Sequence, residues 1–323
     1  MVLWSRLLAV ALAFACAISG VARAQTITVT HWGAAFYGAP YAVAMAKGFF
    51  HAHGVEVTGV LTSQGGGTSV RNMLASEVPF GEIALSAVVQ AADHGLPLKI
   101  IGGGVDSIGD ILWMAKKGSP LHALKDIEHH TVGFTSPGSV TNMLILMAMK
   151  AHGIDASTVK LVPVGGIGAN VTAVLNGAID TGMCGEPVWS ENEAQLQLVF
   201  WAKDVLPANM MQTVTVTTED YAKTNARELS GFLAARAEGV AYIMAHPDEA
   251  ADITAKAYSS NRNDLYRAVF KKLVAVNYWS AGRLDYDGMD RMVEGLAIVG
   301  EMSGKPDWSK LVDTSFLPPD LRQ

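Results

Sequence analysis

The chain has 323 residues, half of them hydrophobic, with 24 basic and 30 acidic side chains and a formal charge of −6. That length holds one large or two medium domains with a substantial core. The mildly acidic balance argues against nucleic acid or anionic lipid as partner, but not against a small anionic ligand, whose capture depends on the local field of a cleft.

The first residues read as a secretory leader. Met1–Arg6 is short and carries one positive charge, Leu7–Ile18 is almost wholly apolar, and Ala22-Arg23-Ala24 is a small-x-small cleavage site. Gln25 is then the expected mature N-terminus and the periplasm the expected location. The apolar run is too short to span a bilayer well. A rival reading acylates Cys16, although Phe14 and Ala15 fit a lipid-attachment site poorly. Without Arg6 and Arg23 the chain keeps 22 basic against 30 acidic side chains, a charge of −8. Cys184 is then the lone cysteine, so no intrachain disulfide forms and the fold depends on its apolar core.

Strand and helix signals alternate from there. Thr26–His31 reads as a strand and Pro40–Phe50 as a helix closed near Gly48. Val55–Leu61 is a strand, Thr68–Ser76 a helix, Ile83–Ser86 a short strand and Val88–His94 a helix closed by Gly95. Lys99–Gly102 and Ile111–Ala115 are strands. A second round follows: strand Thr131–Phe134, helix Ser139–His152, strand Val159–Pro163, helix Ala169–Asn176, strand Ala178–Met183 and helix Glu186–Ala194. Leu198–Ala202 and Thr213–Thr217 are strands. Beyond Thr218 the chain reads as helical through Arg227–Ala245, Pro247–Tyr258, Arg262–Ala275 and Tyr286–Met302. Two rounds of alternating β and α predict an α/β fold of two mostly parallel sheets, hence two lobes. Ligands in such sheets sit at the C-terminal strand ends.

Two segments stand at such ends. Thr62-Ser63-Gln64-Gly65-Gly66-Gly67-Thr68 and Thr135-Ser136-Pro137-Gly138-Ser139-Val140-Thr141 each join a strand to a helix through small and hydroxylated residues. Helix N-termini present unpaired N–H groups and partial positive charge, which suits an anion. Two of them, about 70 residues apart, predict a cleft that captures a small anion between two lobes.

These pieces, together with Ala46-Lys47-Gly48-Phe49-Phe50, Lys117-Gly118-Ser119-Pro120-Leu121, Leu124-Lys125-Asp126-Ile127, Leu175-Asn176-Gly177-Ala178-Ile179-Asp180 and Glu186-Pro187, carry a resemblance over nearly all of the mature chain. It is similar to the substrate-binding proteins of ABC importers for nitrate, sulfonates such as taurine, and thiamine-precursor pyrimidines. No single piece is specific; their order and spacing are. The resemblance implies the type II periplasmic-binding-protein fold: a discontinuous lobe over 25–114 and 215–323, and a second lobe over 115–214. Hinge closure around the ligand and docking on a membrane permease follow from it. Two departures stand out. Relatives often carry an Asp before the third strand, where this chain has Ser76-Glu77-Val78-Pro79-Phe80-Gly81-Glu82-Ile83. Where many have Gly-Lys before Val132, it has His129-His130.

Each candidate has a plain reading beside a functional one. Gly66, Gly67 and Thr68 are either a tight turn capped by Thr68 or a backbone cradle that lets a ligand approach. Ser136, Gly138, Ser139 and Thr141 have the same two readings, their hydroxyls being donors to sulfonate or carboxylate oxygens. Tyr37 and Tyr41, with Trp32, follow the first strand and either wall a ligand or pack on the first helix. Ser86 ends a short strand. Gly165 sits in a loop after the strand Val159–Pro163. Glu186 is either a carboxylate at a helix N-terminus or a partner for a cationic amine. Arg71 reads as a solvated helix face.

The pairs His51/His53 and His129/His130 have no third ligand at helical spacing, so no metal is expected. The nucleophile elbow, phosphate loop and dinucleotide fingerprint are absent, and a related fungal catalytic branch is marked by a cysteine-rich run that this chain lacks. The leading expectation is therefore a monomeric, cofactor-free receptor, not an enzyme, for a small organic anion, partnered with an ABC permease. The alternatives are a receptor for a thiamine-precursor pyrimidine, a secreted enzyme using His31 as base with Ser136 or Cys184, and a binding subunit that signals to a membrane sensor.

Overall fold

A computed structural model describes residues 25–63, 65–302 and 304–322. The predicted leader and Cys16 lie outside the described residues. Among the described residues, ten strands form two five-stranded sheets. They are β1 (Gln25–Thr30), β2 (Val57–Ser63), β3 (Phe80–Ala84), β4 (Leu98–Val105), β5 (Ile111–Lys116), β6 (Thr131–Phe134), β7 (Lys160–Pro163), β8 (Thr181–Gly185), β9 (Leu196–Trp201) and β10 (Thr213–Thr218). The first sheet has the order β2-β1-β3-β10-β4 and the second β7-β6-β8-β5-β9.

Each sheet is parallel except for one strand. β10 runs antiparallel to both β3 and β4, and β5 runs antiparallel to both β8 and β9. These two are the strands by which the chain enters a sheet from the other lobe, after crossing at 106–110 and at 202–212. A chain that leaves one sheet at its C-terminal edge and crosses a short gap must run down the next sheet in the opposite sense. The crossovers thus place the C-terminal edges of both sheets against the same gap.

The sequence-predicted elements recur with shifted ends. β3 ends at Ala84, so Ser86 belongs to the helix Leu85–Asp93 and not to a strand. β8 begins at Thr181, three residues later than expected, and ends at Gly185. The helix after β2 starts at Gly66 with Gly65 as its N-cap, two residues before Thr68. Ser139 caps the helix Val140–Ala151, its side chain accepting from the Asn142 N–H. His129 adopts a left-handed backbone, φ 65°, a conformation that a glycine takes up without strain. Among the described residues no helix is long and apolar enough to cross a membrane.

Helix Ala226–Ala245 covers the first sheet and carries its most consequential polar contact. Phe232 stacks on Phe80 of β3 at 4.7 Å between ring centres. One turn on, Arg236 sends Nε to Glu82 Oε2 at 2.9 Å, and both side chains are at most 1% exposed. Its remaining N–H groups donate to the Ser280 and Gly104 carbonyls, and Thr213 Oγ1 donates to Glu82 Oε1 at 2.8 Å. A buried ion pair is tolerable only when its spare donors and acceptors are satisfied, and here they are. Removing one partner strands the other charge in the core. Arg236→Met should therefore lower the unfolding free energy by about 3–5 kcal/mol. In urea denaturation, the double variant Glu82→Gln/Arg236→Met should recover part of that loss; additive losses would contradict the pairing.

Candidate functional site

A cavity of about 320 Å³ occupies the gap between the two sheets. Four helices begin on it: Gly66–Ala75, Leu85–Asp93, Val140–Ala151 and Ile167–Leu175, represented in its wall by Gly66, Ser86, Thr141 and Ile167. None of the four has an acidic residue in its first turn, and three have no side-chain cap. Their N-terminal N–H groups and dipoles sum to a positive field in the gap. Arg71 adds a formal charge from an exposed position in the same wall, donating locally to Thr68 Oγ1 at 3.1 Å.

Two buried polar atoms in this wall have no hydrogen-bond partner, Ser86 Oγ and His31 Nδ1. Such atoms are costly to leave unmet and point to a partner that arrives with a ligand. Burial holds the His31 imidazole down at about 4, so it is neutral at neutral pH.

A hydrogen-bonded chain closes the wall at the crossovers. Tyr37 donates to Gln212 Oε1 at 2.7 Å. Gln212 Nε2 donates to Asp110 Oδ1 at 2.6 Å and Tyr278 to Asp110 Oδ2 at 2.8 Å. Asp110 is 2% exposed. Burial pushes its carboxyl up to about 6 against the pull of these two donors.

The lobes touch around the cavity. A Cβ on Gly138 would come within 3.3 Å of Gln90 Nε2 from the other lobe, and one on Gly295 would meet Met143 Cβ at 2.5 Å. Ala35 bridges to Pro187 in an isolated antiparallel contact.

Of the residues singled out from sequence, Tyr37, Gly66, Gly67, Thr68, Ser86, Ser136, Gly138, Ser139 and Thr141 line this cavity. Three do not. Tyr41 is fully buried in the first lobe, 5.6 Å from the Arg236 guanidinium and stacked toward Phe50. It faces the core because its helix turns that side to the helix Ala226–Ala245, which carries Arg236. Gly165 makes the turn into the helix Ile167–Leu175, its carbonyl held by Asn170. Glu186 accepts from Ser190 N and Oγ and lines a different cavity. Trp32 packs edge-on against Tyr258 and stays outside the cavity wall. Arg71, read as a solvated face, is exposed and also lines the cavity. Gln90, Asp110 and Gln212 were not singled out. The signal for the last two was present: each stands immediately before a crossing strand, at Ile111 and Thr213. Cys184 is buried outside this wall, and burial raises its thiol far above the ordinary range. Among the described residues, no three His, Cys, Asp or Glu side chains are placed to hold a metal ion together.

The glycines separate into packing and approach. A Cβ on Gly66 would lie 2.6 Å from Ala87 Cβ, so this glycine lets two helices meet. At Gly67 the nearest atom would be Arg71 Nη1 at 3.9 Å, so the position is open to the cavity. Gly67→Asp should fold normally, because a carboxylate suits a helix N-terminus, and should weaken anion binding at least about tenfold by calorimetry. Gly66→Ala should lower the melting temperature instead. Unchanged anion affinity in Gly67→Asp would remove this loop from the site.

Asp110 gives the site a pH dependence with a definite sign. Its carboxyl is raised in the folded protein, so its stabilising contribution is complete below the unfolded value and lost as pH rises through about 6. Protonation also removes a negative charge from the cavity wall. Anion affinity should therefore rise as pH falls from about 7.5 to 5, and Asp110→Asn should flatten that profile; an unaltered profile would assign it elsewhere.

A family model described as NMT1/THI5 like matches residues 35–250. The riboflavin-binding protein RibY of Chloroflexus aurantiacus is 26% identical over 223 residues, 67% of this chain; the chain spans only 61% of that relative's length. Among solved structures, the periplasmic aliphatic sulphonate-binding protein SsuA of Escherichia coli superposes with a TM-score of 0.71 at 14% identity, covering 89% of this chain and 91% of that one. The periplasmic nitrate-binding protein NrtA of Synechocystis PCC 6803 gives 0.70 at 13% identity, covering 92% and 87%. These likenesses establish the periplasmic-binding-protein fold, and the family match, spanning more than half of the chain, establishes that this protein belongs to the NMT1/THI5-like family.

Proposed function

We propose that this protein is the extracytoplasmic solute receptor of an ABC importer and that it captures a small organic anion, a sulfonate or a carboxylate. The observation that carries this reading is the convergence of four acid-free helix N-termini on one cavity that also holds two unpartnered buried polar atoms. The anionic group would sit against the backbone N–H groups of Gly66–Thr68, with Ser86 Oγ as a hydroxyl donor; the Gly138 and Ser139 N–H groups, expected from sequence to join them, already donate to Asn142 Oδ1 and the Ser136 carbonyl. Tyr37 would wall the organic part. The lobes would close by motion at the two crossovers, and the closed monomer would present its surface to a permease. The known ligands of SsuA and NrtA, a sulphonate and nitrate, agree with an anionic class.

The riboflavin-binding relative favours a second reading, an uncharged heteroaromatic ligand. The rings of His31 and Tyr37, 6.2 Å apart, and the Tyr37–Gln212–Asp110 chain offer contacts for a polar ring edge.

A thermal-shift screen of residues 25–323 separates the two. The panel holds alkyl and aryl sulfonates, aromatic carboxylates, nitrate, pyrimidines and riboflavin. A ligand at about 100 times its Kd adds about 2.7 kcal/mol of stability, a shift of several degrees. Stabilisation by a sulfonate or carboxylate is the expected result. Stabilisation by riboflavin or a pyrimidine alone would replace the anion reading with the second one. A flat screen would overturn the anion cradle.

A further inference from the structure

A second cavity, about 580 Å³ in volume, lies beside the same crossovers and is shared between the lobes. Asp110 and Gln212 face the first cavity; Asp106, Gly109 and Asn209 face the second. Its apolar side comes from Val269, Leu273 and Val276 at the end of the helix Asn263–Ala275, and its aromatic side from Trp201 at the end of β9.

Most of the charged groups in this wall are engaged. Lys203 pairs with Asp204 at 2.8 Å. Asp285 caps the helix Tyr286–Ile298, accepting from the Gly288 N–H at 3.0 Å, and faces Arg291. Glu186, 4% exposed, accepts twice from Ser190, and Lys272 stabilises its charge. Arg236, close enough to Asp106 to stabilise its charge, is committed to Glu82, Ser280 and Gly104. Asp106 Oδ1 is left buried with no hydrogen-bond partner. An unmet carboxylate oxygen beside an apolar and aromatic wall calls for a donor with positive charge and an apolar body.

We propose that this cavity is a second binding site, which takes a small organic amine with its ammonium on Asp106 and its apolar part against Val269, Leu273, Val276 and Trp201. The proposal does not rest on what fills the first cavity, since no residue named for binding in one lines the other.

Isothermal titration with phenethylamine, and with 2-phenylethanol as its uncharged isostere, tests this. Burial pushes the Asp106 carboxyl up to about 7, so the titration is run at about pH 8, where it is ionised. The amine should bind saturably, one per chain, at least about tenfold tighter than the alcohol. Asp106→Asn should weaken the amine at least about tenfold. Val276→Trp, at a position 50% exposed where folding is not at stake, should block the cavity and do the same. The proposal is overturned by equal affinities for amine and alcohol, by amine binding that survives Val276→Trp, or by no saturable binding up to about 10 mM.

Discussion

The structure depends on the two crossovers between its sheets. Segments 106–110 and 202–212 each carry the chain from the C-terminal edge of one sheet into the other. That requirement reverses β5 and β10 against their neighbours and turns the C-terminal edges of both sheets toward one gap. Parallel strands followed by helices then place helix N-termini at that edge as a matter of connectivity. The bond from Gln212 Nε2 to Asp110 Oδ1, 2.6 Å, ties one crossover to the other at the place where any change in lobe angle must be absorbed.

Charge is distributed so that little negative charge faces the gap. Thr213 lines the cavity, and its hydroxyl bonds directly to the buried Glu82. An isolated carboxylate at that distance would oppose any anion in the gap. Arg236 cancels it at 2.9 Å, so a pair that holds the first lobe together also protects the field of the site. His31 contributes no charge, because burial keeps it neutral. Asp110 is the carboxylate that remains in the wall, and its raised titration confines its full charge to pH above about 6.

Much of this was legible in the sequence because it rests on local rules. Strand-loop-helix order, helix stops at Gly48, Gly95 and Gly153, and the small-residue loops at 65–68 and 136–139 depend on backbone conformation, and so appear as residue type. The ends of β3 and β8 did not, because Ser86 and Gly185 take their states from neighbours distant in sequence. Tyr41 and Glu186 show the same limit. An aromatic after a strand and a carboxylate before a helix look alike whether they face a ligand or a core. The pairing of Tyr41 with Arg236, 195 positions away, is set by tertiary packing. Gln90 is one polar position on a helix and carries no mark of its own, whereas Asp110 and Gln212 are marked only by standing before the crossing strands.

Capture and catalysis make different demands on the hydroxyls of such a cleft. A nucleophile needs a base within hydrogen-bond reach. Ser139 Oγ is occupied in capping Asn142 and accepting from Thr135, and Thr141 Oγ1 bonds both the Thr135 N–H and its hydroxyl. These bonds tie the second loop to itself and occupy the N–H groups of Thr135, Ser136, Gly138 and Ser139. His31 lines the cavity with its Nδ1 unpartnered, so no serine is joined to that atom. Cys184 lies outside the wall, and its buried thiol resists ionisation. What the cleft offers a bound molecule is a set of helix N-termini and their positive field, which would favour an anion over a cation.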